Sequence, residues 1–253
     1  MSEPHGANAA GDGPVRWLFS DAGEVLVHMT PWPERLEAAL SGLGLAERIP
    51  RIPEALAQGD AWLAQKTPQD LLPTWWAEER HARGHLRVVA RVLGLGPAHI
   101  GYLRETCYYT VASRPFPDAR PALEGVRALG YRLGLISNAP PSLRALLVRW
   151  GLMPLFDHVT LSSDVGALKP HRAIYEAALA GAGARADASL FIDDLAANVD
   201  AARALGFRGA LVVDRAGVHR DREDRLDGLR HLPTLLAASA PLWRQFAPPS
   251  ERR

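Results

Sequence analysis

The chain has 253 residues, and its 29 Lys and Arg are nearly matched by 28 Asp and Glu. That balance excludes bulk electrostatic attraction to nucleic acid or to an anionic membrane surface as the basis of function. A 47% hydrophobic share beside 23% charged residues reads as a soluble globular protein, long enough for one large core that carries an insertion.

Residues 1–14 are polar, rich in Gly, Ala and Asn, and lack the apolar stretch of a secretory signal, so they read as a disordered tail. The first strand is predicted at Val15–Ser20, and it breaks at once into Asp21-Ala22-Gly23-Glu24. From 31 to 113 the pattern turns helical: Leu36, Leu40 and Leu43 fall at i, i+4 and i+7, and Leu86, Val89, Val92 and Leu93 repeat the theme. Lying between the first strand and the second, this stretch is expected to leave the sheet as a helical cap over the end of the first strand. It returns at Pro115-Phe116-Pro117. Strands are then predicted at 132–136, 158–161, 189–192 and 209–213, separated by helices at 121–129, 141–150, 170–180 and 198–205. Such alternation gives an α/β fold, a doubly wound parallel sheet with helices on both faces. The expected units are a core of 15–30 and 114–236, a cap of 31–113 and a C-terminal tail of 237–253. The single cysteine, Cys107, excludes an intramolecular disulfide and reads as a small core side chain. With no apolar run long enough for a membrane span, a cytoplasmic protein is expected.

Ligands of open parallel sheets sit beyond the carboxyl ends of the strands. Four polar groups fall there: Asp21 after the first strand, Ser137-Asn138 after 132–136, Lys169 in the loop beyond 158–161, and Asp193-Asp194 after 189–192. Taken singly, each has a plain reading. Asp21 suits a turn, Ser137-Asn138 suits a helix cap and Lys169 a solvated loop. Adjacent acids straight after an apolar strand are harder to dismiss, because they repel unless they share a cation. Together the four supply a carboxylate nucleophile, a hydroxyl with a backbone N–H, a cation and hard oxygen ligands. Phosphoryl transfer with a magnesium ion needs that set.

Four segments then resemble the motifs of the haloacid dehalogenase (HAD) superfamily: Phe19-Ser20-Asp21-Ala22-Gly23-Glu24-Val25-Leu26, Ile136-Ser137-Asn138, Gly166-Ala167-Leu168-Lys169-Pro170 and Phe191-Ile192-Asp193-Asp194. The chain is similar to its phosphatase-type branch with a small helical cap, including the phosphatase domain of soluble epoxide hydrolases. The resemblance implies a Rossmann-like core and a Mg2+-dependent phosphatase of a small phosphorylated metabolite, such as a sugar phosphate. It implies Asp21 as the nucleophile that forms an aspartyl-phosphate, Ser137 and the Asn138 amide as phosphate holders, and Lys169 as the neutralising cation. It further implies Asp21, Asp194 and the Gly23 carbonyl as Mg2+ ligands, Asp193 as a ligand or an acceptor behind them, and Asn198 as loop support. No nucleic acid or membrane partner is expected; a homodimer is left open.

One departure stands out. Most phosphatases of this superfamily carry a second Asp two residues after the nucleophile as general acid and base, and here that residue is Gly23. Glu24, His81, His85 or water are the candidate replacements. In the cap, Trp62, Trp75 and Trp76 are candidates for a pocket lining or for core, and Arg80, Arg83 and Arg87 for a charged or merely solvated face. The rival readings are a metal-free 2-haloacid dehalogenase, which has little use for paired acids, a phosphomutase, disfavoured by Gly23, and a degenerate member that binds a phosphorylated ligand or partner without turnover.

Overall fold

The structure, a computed structural model, describes residues 17–65 and 74–238. Strand β1 (Trp17–Ser20) is buried along its whole length, as a central parallel strand must be. Strand β2 (Val27–Met29) leads into the helical insertion, made of α1 (Trp32–Gly42), α2 (Ile52–Ala64), α3 (Trp75–Val92) and α4 (Ala98–Cys107). Strand β3 (Ser113–Pro115) closes it, pairing antiparallel with β2. The insertion has its own apolar core, in which Leu36, Leu40, Leu86, Val89, Leu93 and Cys107 are buried. Trp62 of α2 packs its ring against Gly84 of α3, where a Cβ would come within 2.3 Å of it. Trp62 is therefore packing, and the side chains of Trp75 and Trp76 lie outside the described ones.

The core resumes with α5 (Ala119–Ala128), β4 (Arg132–Ser137), α6 (Ser142–Arg149), β5 (His158–Leu161), α7 (Arg172–Ala182) and β6 (Ser189–Asp193). It ends with α8 (Ala196–Ala204), β7 (Gly209–Val213), β8 (Arg225–Leu226) and α9 (Leu232–Ala237). The six-stranded sheet runs β5-β4-β1-β6-β7-β8, parallel throughout. On one face Leu18, Leu133, Leu135 and Ile192 pack against Leu123 and Val126 of α5 and Leu143 and Leu147 of α6. On the other, Trp17, Phe19 and Phe191 meet Tyr175 of α7, Val199 of α8 and Phe207. Gly134 costs β4 some strand propensity, but the Phe19 ring occupies the space a side chain would need; a Cβ there would sit 2.2 Å from it.

This is the Rossmann-like α/β fold expected. Several boundaries differ. Within the described residues the first strand begins at Trp17, since Val15 and Arg16 lie outside them. The β2–β3 ribbon was not legible, being two three-residue strands, one ending in proline, and it places the 113/114 boundary inside a strand. Helix α9 runs through Ala237, the first residue of the expected tail; the remainder of both tails lies outside the described residues, Ala238 apart. Helix α7 starts at Arg172 rather than at Pro170 because the His171 ring caps it, accepting the Ala173 N–H at 3.2 Å.

Candidate active site

Parallel register sets the site. Ser20 is level with Leu135 of β4 and Ile192 of β6, so the residues that follow these three strands emerge together at one edge. Asp21 continues the ladder by one bond, its N–H donating to the Ile192 carbonyl at 2.9 Å. Lys169 arrives from the loop beyond β5 and is fixed by Asn138. The Asn138 Oδ1 accepts the Lys169 N–H at 2.6 Å, and its Nδ2 donates to the Lys169 carbonyl at 3.0 Å. The Asn138 side chain is thus committed to this loop, which leaves its backbone amide for any ligand.

The lysine ammonium is buried between two acids, with Nζ 2.8 Å from Asp21 Oδ1 and 2.6 Å from Asp193 Oδ2. Burial disfavours its charge, but the two carboxylates outweigh that and hold its pKa above the usual lysine value. Asp193 is fully buried, and its second oxygen accepts the Leu195 N–H and the Asn198 Nδ2, both at 2.9 Å. Asn198 in turn is tied down at its carbonyl by the Tyr175 hydroxyl at 2.8 Å. Even so, burial and the nearby Asp21 raise the Asp193 pKa from its usual value, against the pull of Lys169. Asp194 is pushed up to about 7, first by burial and then by Asp21 and Asp193.

Oxygens of Asp21, Asp193 and Asp194 lie within 4.8 Å of one another. Asp21 Oδ1 is buried and, although Lys169 is close, has no aligned hydrogen-bond donor, so it keeps a lone pair for a further cation. Gly23 follows with its carbonyl accepting the Val25 N–H at 2.6 Å, which leaves one of two lone pairs. A Cβ at Gly23 would meet only Asp21 Oδ2, at 3.9 Å, so the missing side chain is not dictated by crowding. Ser137, 4% exposed, ends β4 beside them.

A cavity of about 480 Å³ opens from Gly23, Ser137 and Asn138 into the insertion, where Trp32, Arg35 and His81 line it. Of the residues considered in place of the missing acid, Glu24 is turned away: its carboxylate accepts the Met29 N–H at 3.0 Å and pairs with His28 at 3.4 Å. His81 faces the cavity but binds the Ala77 carbonyl through Nδ1 at 2.7 Å. His85 is buried against Trp32, and burial lowers its pKa, with Asp60 opposing. Arg80, Arg83 and Arg87 are exposed on the outer side of α3, where Arg83 pairs with Glu79 at 2.7 Å. Sequence reasoning missed Arg35 and Glu78. Glu78 ties the insertion to the core, its carboxylate accepting the Ser142 N–H at 3.2 Å and the Ser142 hydroxyl at 2.6 Å.

Fold and site together define an α/β protein with an acid–lysine cluster at the carboxyl edge of its sheet and a helical insertion above it. Residues 15–206 match the haloacid dehalogenase-like hydrolase family, and the chain belongs to that family. It is 39% identical over 138 residues to a phosphatase of Mycobacterium tuberculosis, covering 54% of this chain and 63% of that one. It is 38% identical over 80 residues to a glyceraldehyde 3-phosphate phosphatase of Methanothermobacter thermautotrophicus, covering 31% of this chain and 35% of that one. The matches thus span less than two thirds of both relatives. The 2-haloacid dehalogenase structure from Pseudomonas syringae superposes with a TM-score of 0.62 at 22% identity, over 88% of this chain and 98% of that one, a likeness of fold. Among the described residues no helix is long and apolar enough to cross a membrane.

Proposed function

We propose that the protein is a Mg2+-dependent phosphatase of small phosphorylated metabolites that works through an aspartyl-phosphate on Asp21. The observation that carries this reading is a charge deficit. Three carboxylates cluster beside one ammonium, which contacts two of them, so with all three ionised minus three plus one leaves minus two, the charge one divalent cation offsets. Burial first, and then the charges of Asp21 and Asp193, push the Asp194 pKa up to about 7. A metal-free dehalogenation site has no such need.

Asp21, Asp194 and the Gly23 carbonyl would hold Mg2+, with Asp193 beside them. An ion held by these groups would supply positive charge to offset the negative charge of the carboxylates and the phosphoryl group. The protein's own groups account for the rest. Asp21 attacks phosphorus in line, forming an oxygen–phosphorus bond as the ester bond breaks. The Ser137 hydroxyl and the Asn138 amide hold the equatorial oxygens, and Lys169 lowers the charge that builds on them. Gly23 offers no proton, so the leaving alcohol takes one from water. A second water then attacks phosphorus, releases phosphate and returns Asp21 to a carboxylate. Asp193, held by Lys169, Leu195 and Asn198, keeps the ammonium in place. The phosphatase names of the two relatives support this assignment.

The test is phosphate release from sugar phosphates, nucleotides, p-nitrophenyl phosphate and, in view of the archaeal relative, glyceraldehyde 3-phosphate, with Mg2+ and with EDTA. Release should need Mg2+ and vanish in Asp21→Asn with the fold unchanged by circular dichroism. Chloride release from 2-chloropropionate without phosphate release from any ester would put the dehalogenase reading in its place.

A further inference from the structure

Lys169 is a buried cation with two acids around it. Arg35 of α1 is a buried cation with none among the described residues. It is 7% exposed, its guanidinium carbon lies 4.2 Å from the Trp32 ring centre, and Nη1 donates to the Cys107 carbonyl at 2.5 Å. Its Nε is buried without an acceptor. Among the described residues no carboxylate pairs with it; burial pulls its pKa down, opposed only by the neighbouring Cys107 thiol. A guanidinium stays charged under all ordinary conditions, so such a site calls for a counter-ion.

Arg35 lines the cavity that opens at Gly23 and Ser137. The two acids on the same lining are engaged elsewhere. Glu78 is bound to Ser142, and Asp60, its side chain 77% exposed, sits beside His85. The cavity therefore has an anion site over the sheet and an uncompensated cation in the insertion, with apolar wall between. The guanidinium, held over the Trp32 indole and by one bond to Cys107, keeps further N–H donors in a planar fork that suits a carboxylate or a phosphate.

Resting on the phosphatase reading, we propose that Arg35 receives a second anionic group of the substrate, a carboxylate or a second phosphate, carried by the alcohol at the end remote from the scissile ester. Arg35 is a specificity residue. It recognises the part of the substrate that does not react, and it selects dianionic-plus-anionic esters over esters of neutral sugars and polyols.

The experiment compares kcat/KM within matched sets. 3-Phosphoglycerate, glyceraldehyde 3-phosphate and glycerol 3-phosphate differ only in the group at the far carbon, and fructose 1,6-bisphosphate is set against fructose 6-phosphate. The wild type is expected to favour the doubly anionic member of at least one set by ten-fold or more, chiefly through KM; which set shows it identifies carboxylate or phosphate. In Arg35→Met the ratio should fall towards one, and in Arg35→Lys, which keeps the charge but loses the fork, it should fall part of the way. A ratio is read because general damage to the insertion cancels from it. No preference in either set, or a preference that survives in Arg35→Met, overturns the proposal. Calorimetric binding of the same compounds with Mg2+ separates this from failure of the phosphatase reading. If no ester is hydrolysed, an Arg35-dependent binding preference still supports the anion site, and its absence overturns it.

Discussion

Replacing Lys169 by Met removes the ammonium while keeping most of the buried stem. Each of its contacts, at 2.8 Å to Asp21 and 2.6 Å to Asp193, is worth a gross attraction of about 6 kcal/mol at an effective dielectric of about 20. Desolvating the ammonium cancels several kcal/mol of that, and the measured cost of removing one partner from a buried pair is about 3–5 kcal/mol. For a domain of this size that corresponds to a Tm lower by roughly 6–20 °C. A solvated loop lysine, the default reading of a lone Lys, would move stability by no more than about 0.5 kcal/mol. The assay is denaturant unfolding in EDTA at pH 7 and pH 5, repeated with Mg2+. Asp193 and Asp194 are already raised in pKa, and Lys169 pulls both down, so losing the ammonium raises them further; protonation then eases the loss as pH falls, and part of it should be recovered at pH 5. Mg2+ should restore part of it at pH 7. A loss under about 1 kcal/mol in EDTA at pH 7, unchanged at pH 5, would refute the claim that Lys169 neutralises buried charge.

Gly23→Asp should raise turnover of poor leaving groups such as glycerol 3-phosphate by about ten-fold or more, part of the usual general-acid contribution of about 10²–10⁴, and turnover of nitrophenyl phosphate far less. The space at Gly23 permits a Cβ, and a uniform fall across substrates would show that proton donation is not limiting. Asp194 gives a pH dependence. Its folded pKa, about 7, lies above the unfolded value, so its contribution to stability is full below the unfolded pKa and is lost as pH rises towards and through 7. The protein in EDTA should therefore lose Tm between pH 5 and pH 8 relative to Asp194→Asn, and the gain in Tm on adding Mg2+ should be larger at pH 8; parallel curves for the two proteins would exclude Asp194 as the source.

The carboxyl edge of the sheet was legible because strands advertise themselves. Each buried run ends where its apolar residues end, so Asp21, Ser137 and Asp193 could be placed on one edge from periodicity alone, and the register bears out that they are neighbours. The role of the Asn138 side chain was not, because its partner is the backbone of a residue 31 positions away. Nor was the insertion. Arg80, Arg83 and Arg87 drew notice by their spacing and lie on a solvated face, whereas Arg35 sits at a single position of an amphipathic helix, where an arginine looks like surface. Its meaning comes from what is missing around it, and a sequence does not display a missing neighbour. Glu24 shows the same limit: one hydrogen bond to Met29 in an unforeseen ribbon decides which way its carboxylate turns.

That ribbon has a consequence for how such a protein can diverge. Val27 faces Pro115 and Met29 faces Ser113, so the chain leaves the sheet and comes back through adjacent strands. To the sheet, everything between is a hairpin. The insertion keeps its own apolar core, separate from the two that flank the sheet. Away from the Glu78–Ser142 tie, its helices can accept repacking, lengthening or a new polar residue on the cavity wall while Asp21, Lys169 and Asp193 stay held by Ile192, Asn138, Leu195 and Asn198 of the core. On the function and the Arg35 role proposed above, chemistry and choice of substrate are thereby written in two separate pieces of the chain, free to change at different rates.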